Sequence, residues 1–226
     1  RSVGNTVVMD IFVENELPNV YWHGVVFDSY EDGRWNMVQG QQVLHFPDDG
    51  PIQIPNSLMR QEVVQQVTNY IPNTGTLYGA PEAITTDRQM FVGTTLDNSG
   101  RVLVSSLRSR FVLRQNETYL VRSRVSMADA FSLRTAPTNY PAWVVDSYLQ
   151  LPDTITPETL ALADELTAPF DNPFDKAIAV RNYLRETIAY NDQIQAPPPG
   201  IDPVHYVLFV DQEGYCNYYA SAMVVM

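Results

Sequence analysis

One stretch of this sequence carries residue types that can make and break bonds: Asp211-Gln212-Glu213-Gly214-Tyr215-Cys216-Asn217-Tyr218-Tyr219-Ala220. Cys216 is the single cysteine in 226 residues, so it belongs to no internal disulfide and to no zinc site of several thiolates. Gly214, just ahead of it, permits backbone angles that other residues avoid. The helix formers Ala220, Ala222 and Met223 follow, and the pattern predicts a helix beginning at or near Cys216. A thiol at a helix start faces unpaired N–H groups and the positive end of the helix dipole. Both favour thiolate and so prepare a nucleophile, and the same N–H groups can hold a developing oxyanion. A lone cysteine also serves as a small buried hydrophobe, and the spacing alone leaves both readings open.

Other side chains are weaker candidates. A thiol nucleophile needs a base within reach, and the histidines are His23, His45 and His205. His23 sits in a strand-like run and His45 beside a proline turn, and both read as structural. His205 reads as a partly exposed residue on a short amphipathic element. Gln212 could add a donor to an oxyanion hole, and also fits a solvated loop. Trp22, Trp35, Tyr218 and Tyr219 could line a peptide groove, although aromatic residues in strands and first helical turns serve equally as core. Asp48-Asp49 falls in a turn and Asp164-Glu165 on a helix, where solvated acids are the simple reading. Asp97-Asn98-Ser99-Gly100 has oxygen ligands without the spacing of a calcium loop. Asn116-Glu117-Thr118 fits a glycosylation sequon of the kind that arises by chance. No metal site and no cofactor site is expected.

The elements that must hold these residues change character along the chain. Val7, Met9, Ile11 and Val13 alternate with Val8, Asp10, Phe12 and Glu14, the period of a strand. Tyr21–Phe27 is another β-rich run, and Asp32-Gly33 marks a hairpin turn. Further strand-like runs cover 62–70, 89–92, 101–105 and 118–126. Near Pro137–Pro141 the period becomes helical. Thr156-Pro157-Glu158 and Asn172-Pro173-Phe174-Asp175 are helix starts, each with a capping residue followed by proline. Phe174, Ala177, Ile178, Leu184 and Ile188 form the apolar face of the second helix. A proline loop, 196–200, precedes a short element at 203–210. The sequence therefore predicts an α+β protein. An N-terminal all-β module, sandwich- or barrel-like, spans residues 1–140, and a mainly helical part spans 141–226.

Composition narrows the partners. Hydrophobic residues make up 45% and charged residues 18%, values of a folded globular chain. Lys and Arg number 14 against 26 Asp and Glu, a formal charge of −12, and a field of that sign repels a phosphate backbone. Arg101, Arg108, Arg110, Arg114, Arg122 and Arg124 are spread among apolar residues, so no nucleic-acid partner is expected. No apolar run reaches the roughly 18–20 residues that cross a bilayer. The opening Arg1-Ser2-Val3-Gly4 without an initiator methionine, and the closing Ala222–Met226, suggest a piece of a longer protein. In such a piece Ala220, Met223, Val224 and Met226 are expected to leave the last helix poorly ordered or buried against a neighbouring chain.

Gly-Tyr-Cys-Asn-Tyr-Tyr-Ala-Ser-Ala-Met at 214–223 resembles the nucleophile motif of the transglutaminase-like superfamily of papain-like cysteine enzymes. Asp202–Phe209 resembles the segment that leads into that motif in bacterial members, and the helix 173–189 with Tyr190 matches the helical lead-in. Tyr21–Asp28 followed by Asp32-Gly33-Arg34-Trp35 is similar to the β-rich segment of a bacterial membrane-anchored branch. The resemblance implies that 141–226 is the helical front half of a papain-like domain, with Cys216 as its nucleophile. It implies acyl transfer or hydrolysis on a protein or peptide substrate through a Cys thioester, without a cofactor. It also implies an extracytoplasmic location, with membrane attachment through segments outside this chain. The family's His and Asp follow the nucleophile helix, so residues 1–226 by themselves are expected to be inactive. The alternative is a non-catalytic extracytoplasmic binding or scaffold module that retains a degenerate domain of this kind.

Overall fold

The structure, a computed structural model, describes residues 4–17, 20–37, 40–55, 57–96 and 102–226. Its strands in chain order are β1 Met9–Val13, β2 Ser29–Glu31, β3 Arg34–Asn36, β4 Gln41–His45, β5 Arg60–Asn69, β6 Thr74–Thr76, β7 Ala83–Thr86, β8 Met90–Leu96, β9 Val102–Leu113, β10 Glu117–Ser126, β11 Ala189–Tyr190 and β12 Glu213–Gly214. The α-helices are α1 Ala130–Thr135, α2 Ala142–Tyr148, α3 Pro157–Thr167, α4 Pro173–Thr187, α5 Pro203–Tyr206 and α6 Cys216–Val225. The fold is thus mixed α and β. Two compact units can be distinguished: Asn5–Asp28 with Met37–Ala128, and Ser29–Asn36 with Asp129–Met226.

The first unit is made of strands. One sheet has the order β1-β5-β10-β7 and the other β4-β8-β9-β6. Alternation explains their faces. In β5, Val63, Gln65, Val67 and Asn69 are buried while Glu62, Val64 and Gln66 face out. In β10, Tyr119, Val121, Ser123 and Val125 do the same. Val67, Tyr119 and Val121 share one core with Met90, Val92, Leu107 and Leu113 of the second sheet. Gln65 is fully buried but satisfied: its Oε1 accepts from the Ala80 N–H and the Ser123 hydroxyl, and its Nε2 donates to the Val63 carbonyl. β9 runs well beyond the 101–105 run read from sequence, because its polar residues, Ser105, Ser106, Arg108 and Arg110, fall among apolar ones in a strand rather than ending it. The stretch 97–100 lies outside the described residues.

The second unit is built on helices. Thr156, Asn172 and Asp202 cap α3, α4 and α5, each side chain accepting a backbone N–H of the first turn, and each is followed by proline. α5 passes directly into a π-helical turn, Val207–Asp211, that ends at Gln212. The core gathers Ile155, Val180, Leu184, Ile188, Val204, Val207, Leu208, Ala222 and Val225 around Tyr30. Burying each Val or Leu contributes about 1.5–3 kcal/mol over leaving it in water. Within α4 the buried positions are Val180 and Leu184, while Phe174, Ala177 and Ile178 are half-buried.

This division differs from a single boundary at residue 140 in two respects. Helical structure starts earlier, at α1, where the Asp129 carboxylate accepts the Ser132 N–H at 2.8 Å and so caps the helix. The β2–β3 hairpin, although flanked by strand-forming sequence, belongs to the helical unit. Tyr30 and Trp35 stand opposite each other across it, and both rings find apolar burial among the helices. The apolar face of α6 is likewise covered from within the unit: Ala222 and Val225 are buried and Met223 is partly buried in the core that α4 and α5 share. Of the residues expected to leave the last helix dependent on a neighbouring chain, Met223 and Met226 are partly buried in this core, while Ala220 and Val224 are exposed, Val224 to 61%.

Candidate active site

Cys216 is the first residue of α6. The residue before it, Tyr215, is extended (φ −116°, ψ −177°) and offers no side-chain cap. The Tyr215 carbonyl accepts the N–H groups of Tyr218 and Tyr219, at 2.9 and 3.2 Å. The N–H groups of Cys216 and Asn217 precede these first intrahelical bonds and stand at the positive end of the helix. The thiol itself is exposed, and its polar neighbour is Asn217 Oδ1 at 3.7 Å. A solvent-facing thiol at an uncapped helix start meets the geometric requirement of a nucleophile better than that of a core residue.

The approach to Cys216 is fixed by a short parallel pairing of β11 with β12. Ala189 N–H donates to the Gln212 carbonyl at 2.8 Å and Asn191 N–H to the Gly214 carbonyl at 2.9 Å. Asn191 Nδ2 donates to Glu213 Oε2 at 2.6 Å. The residue in the left-handed region is Gln212 (φ 54°), not Gly214. Space favours glycine at 214, because a Cβ there would lie 3.0 Å from the Tyr218 Cβ and would require that side chain to give by a few tenths of an ångström. Gln212 is exposed and serves the backbone turn through its carbonyl.

Aromatic rings surround this approach. Tyr190 stacks on Tyr219 with centroids 6.3 Å apart, and the Tyr219 hydroxyl donates to the Ile188 carbonyl in a short bond. Tyr215 and Tyr218 meet edge to face at 5.0 Å. Burial, then neighbouring tyrosines, push the Tyr218 and Tyr219 hydroxyls above the usual phenol range, and Asp211 adds to the effect on Tyr218. An open groove of about 540 Å³ runs past Arg185, Ile188, Tyr190 and Tyr219. In the sequence Tyr190 stands out only as the end of the helical lead-in and Ser221 only as part of the motif at 214–223; neither carries a role of its own there.

Each histidine has local partners of its own. His205 Nδ1 lies 2.9 Å from the Thr156 hydroxyl, and the ring packs at 5.0 Å on Phe209. His45 Nε2 lies 2.9 Å from the Gly50 carbonyl. His23 is tied to Gly79 through its backbone, and burial lowers its pKa. Trp35 is a partly buried ring packed against the core, and its indole N–H donates to Ser221 Oγ at 2.9 Å. Trp22 packs on a small core of Val63, Ala80 and Val125. Asp48-Asp49 form a 3-10 turn closed by the Phe46 N–H on Asp49, and Asp164-Glu165 are exposed on α3. Asn116 is a left-handed turn residue between β9 and β10. Among the described residues, no group of three or more His, Cys, Asp or Glu is placed to hold a metal ion. No helix among them is long and apolar enough to cross a membrane.

Comparison with known proteins bears on this site directly. Residues 160–226, which include α6, match the model of the transglutaminase-like superfamily. YebA, an uncharacterized protein of Bacillus subtilis (strain 168), is 40% identical over 83 residues, covering 36% of this chain and 11% of that protein. The chain thus spans about a ninth of the curated relative it matches. The crystal structure of the periplasmic domain of TgpA from Pseudomonas aeruginosa is similar in fold, with a TM-score of 0.58 and 24% identity, over 98% of this chain and 69% of that one. The same domain bound to ethylmercury aligns with a TM-score of 0.56 at 24% identity, over 96% of this chain and 69% of that one.

Proposed function

Since residues 160–226 belong to the transglutaminase-like superfamily, we propose that Cys216 is the nucleophile of a thiol-dependent acyl-transfer or hydrolysis reaction on protein or peptide amides. The observation that carries this is the exposed thiol on the first residue of an uncapped helix. The thiolate attacks the amide carbonyl, and the oxyanion that forms is held by N–H groups at the α6 terminus. Collapse of that adduct breaks the C–N bond, the amine leaves with a proton from the general acid, and a thioester remains. Water or a primary amine then resolves the thioester. The groove beside Tyr190 and Tyr219 offers an aromatic wall for the substrate chain.

The general base is proposed to come from outside residues 1–226, because the rings of His45 and His205 bond to the Gly50 carbonyl and the Thr156 hydroxyl and the polar neighbour of the Cys216 thiol is Asn217, not a histidine. Residues 1–226 are accordingly proposed to lack amidase and transglutaminase activity. Loss of base assistance alone is worth about 10²–10⁴-fold in rate. We read the two sheets of the first unit as a sandwich- or barrel-like module preceding the helical front half of a papain-like domain. Attachment to the outer face of a bacterial membrane, through segments outside this chain, is the location proposed; the periplasmic origin of the TgpA domain supports it.

Acyl-enzyme formation tests the chemistry without needing the base. An active ester such as p-nitrophenyl acetate carries its own good leaving group. Mass spectrometry should find the acetyl group on Cys216, formed faster than on the same cysteine in urea-unfolded protein, and absent in Cys216→Ala. Equal rates in the folded and unfolded chains would overturn the nucleophile reading and favour a scaffold.

A further inference from the structure

The helix that carries Cys216 has little of its own to hold it. Its N-cap offers no side-chain bond, and it has no acidic residue in the first turn and no basic residue in the last. Its position therefore rests on tertiary contacts. One of these, a bond to Ser221, comes from the β2–β3 hairpin, far away in sequence and outside the segment matched by the family model.

The hairpin engages the helices at three points. The Trp35 indole N–H donates to Ser221 Oγ, on α6 itself, at 2.9 Å. The Tyr30 hydroxyl donates to the Asp202 carboxylate, at 3.1 Å from Oδ2 and 3.4 Å from Oδ1. The same carboxylate accepts the N–H of Val204 at 2.8 Å and so caps α5, which packs on α6. Gly33, at the hairpin tip, lies so close to the ring of Pro203 that a Cβ would meet its Cγ at 2.7 Å. The two rings support each other, with centroids 5.1 Å apart. Buried Tyr and Trp need partners for their O–H and N–H groups, and here both partners lie on the elements that hold the Cys216 helix: the α5 cap Asp202 and Ser221 of α6 itself.

We infer that the hairpin Ser29–Asn36 is a positioning element of the Cys216 site, with Trp35 acting through Ser221 to hold the start of α6 in place. The inference rests on Cys216 being the nucleophile. Trp35 never touches the reacting atoms. By fixing α6 it keeps the N–H groups of the first turn aligned on the thiol, and those groups are what raise its reactivity. The transglutaminase-like segment is then incomplete as a catalytic unit without residues that lie well upstream of it.

The test is the rate of iodoacetamide alkylation of Cys216 at pH 7, in the 226-residue protein and in four variants. Trp35→Phe keeps an aromatic ring, though a smaller one, and removes the donor; Ser221→Ala removes the acceptor; the third variant combines both; Ser221→Thr keeps the hydroxyl. In the parent, alkylation is expected to be about threefold faster than for the urea-unfolded thiol, the size of effect a helix terminus gives. Trp35→Phe and Ser221→Ala should each remove most of that factor. The double variant should lose no more than either single one, since one bond is shared, and Ser221→Thr should retain the parent rate. Circular dichroism confirms the fold of each variant, and if Trp35→Phe does not fold, Ser221→Ala against Ser221→Thr decides. A fast parent with equally fast variants overturns the positioning role and leaves the nucleophile reading standing. A parent no faster than the unfolded thiol overturns both.

Discussion

Gly33→Ala is the substitution with the most sharply defined cost. Asp32 (φ 48°) and Gly33 (φ 72°) form a two-residue turn between β2 and β3, both in the left-handed region. An alanine at 33 must hold that conformation, which costs about 1–2 kcal/mol. Its Cβ would also run into the Pro203 ring, close to Cδ and 2.7 Å from Cγ. The ring is the rigid first residue of α5 and has no rotamer to yield with. Overpacking of this kind costs about 1–3 kcal/mol, so the total is about 2–5 kcal/mol. Gly200→Ala separates the two contributions. Gly200 lies in the same unit at φ 85°, with no heavy atom within 4 Å of its would-be Cβ, so only the conformational part applies. Urea unfolding followed by tryptophan fluorescence reads both. At a slope of about 2 kcal/mol per M, Gly33→Ala should lower the midpoint by about 1–2.5 M, and Gly200→Ala by less than about 1 M. Equal midpoints for the two variants would refute the contact of the hairpin tip with α5.

Two further outcomes are expected. Leu208 is 1% exposed in the π-helical turn and packs in the core of the helical unit, so Leu208→Ala should cost about 2–5 kcal/mol in urea unfolding, and a cost under about 1 kcal/mol would contradict that packing. Asp175 is bonded by the Asn172 side-chain amide and then by Arg134, which hold its pKa below the free value of 3.8. The stability it adds is present above that value and is lost as pH falls through the lower, folded pKa. The gap in unfolding midpoint between the parent and Asp175→Asn should therefore narrow from pH 7 to about pH 3, whereas an unchanged gap would show that Asp175 carries no such linkage.

Local signals in the sequence carried much of this architecture, and long-range ones did not. Period-two alternation marked β1, strand-like runs at 62–70 and 118–126 marked β5 and β10, and the cap–proline pairs at Thr156 and Asn172 marked α3 and α4 at the residues where they start. The start of α6 at Cys216 was legible from the helix formers that follow it. The role of Gly214 was not, because its need for space arises from Tyr218 one turn later, and the left-handed angle falls on Gln212 instead. The hairpin turn at Asp32-Gly33 was legible, but its partners were not. The bonds from Tyr30 to Asp202 and from Trp35 to Ser221 join residues 172 and 186 positions apart, and no local pattern encodes a pairing at that distance. Val180 escaped for a similar reason, since its burial in α4 depends on which helices lie against it.

The central claim is that α6 activates the thiol at its start. A negative charge at a helix N-terminus is favoured by about 0.3–1 kcal/mol, a factor of about two to five for a thiolate placed there. The direct measurement is the ratio of Cys216 alkylation rates at pH 7 between the folded chain and the same chain in urea. The ratio should lie clearly above one, within about that factor. A ratio at or below one would contradict the account, leaving Cys216 an exposed but ordinary thiol.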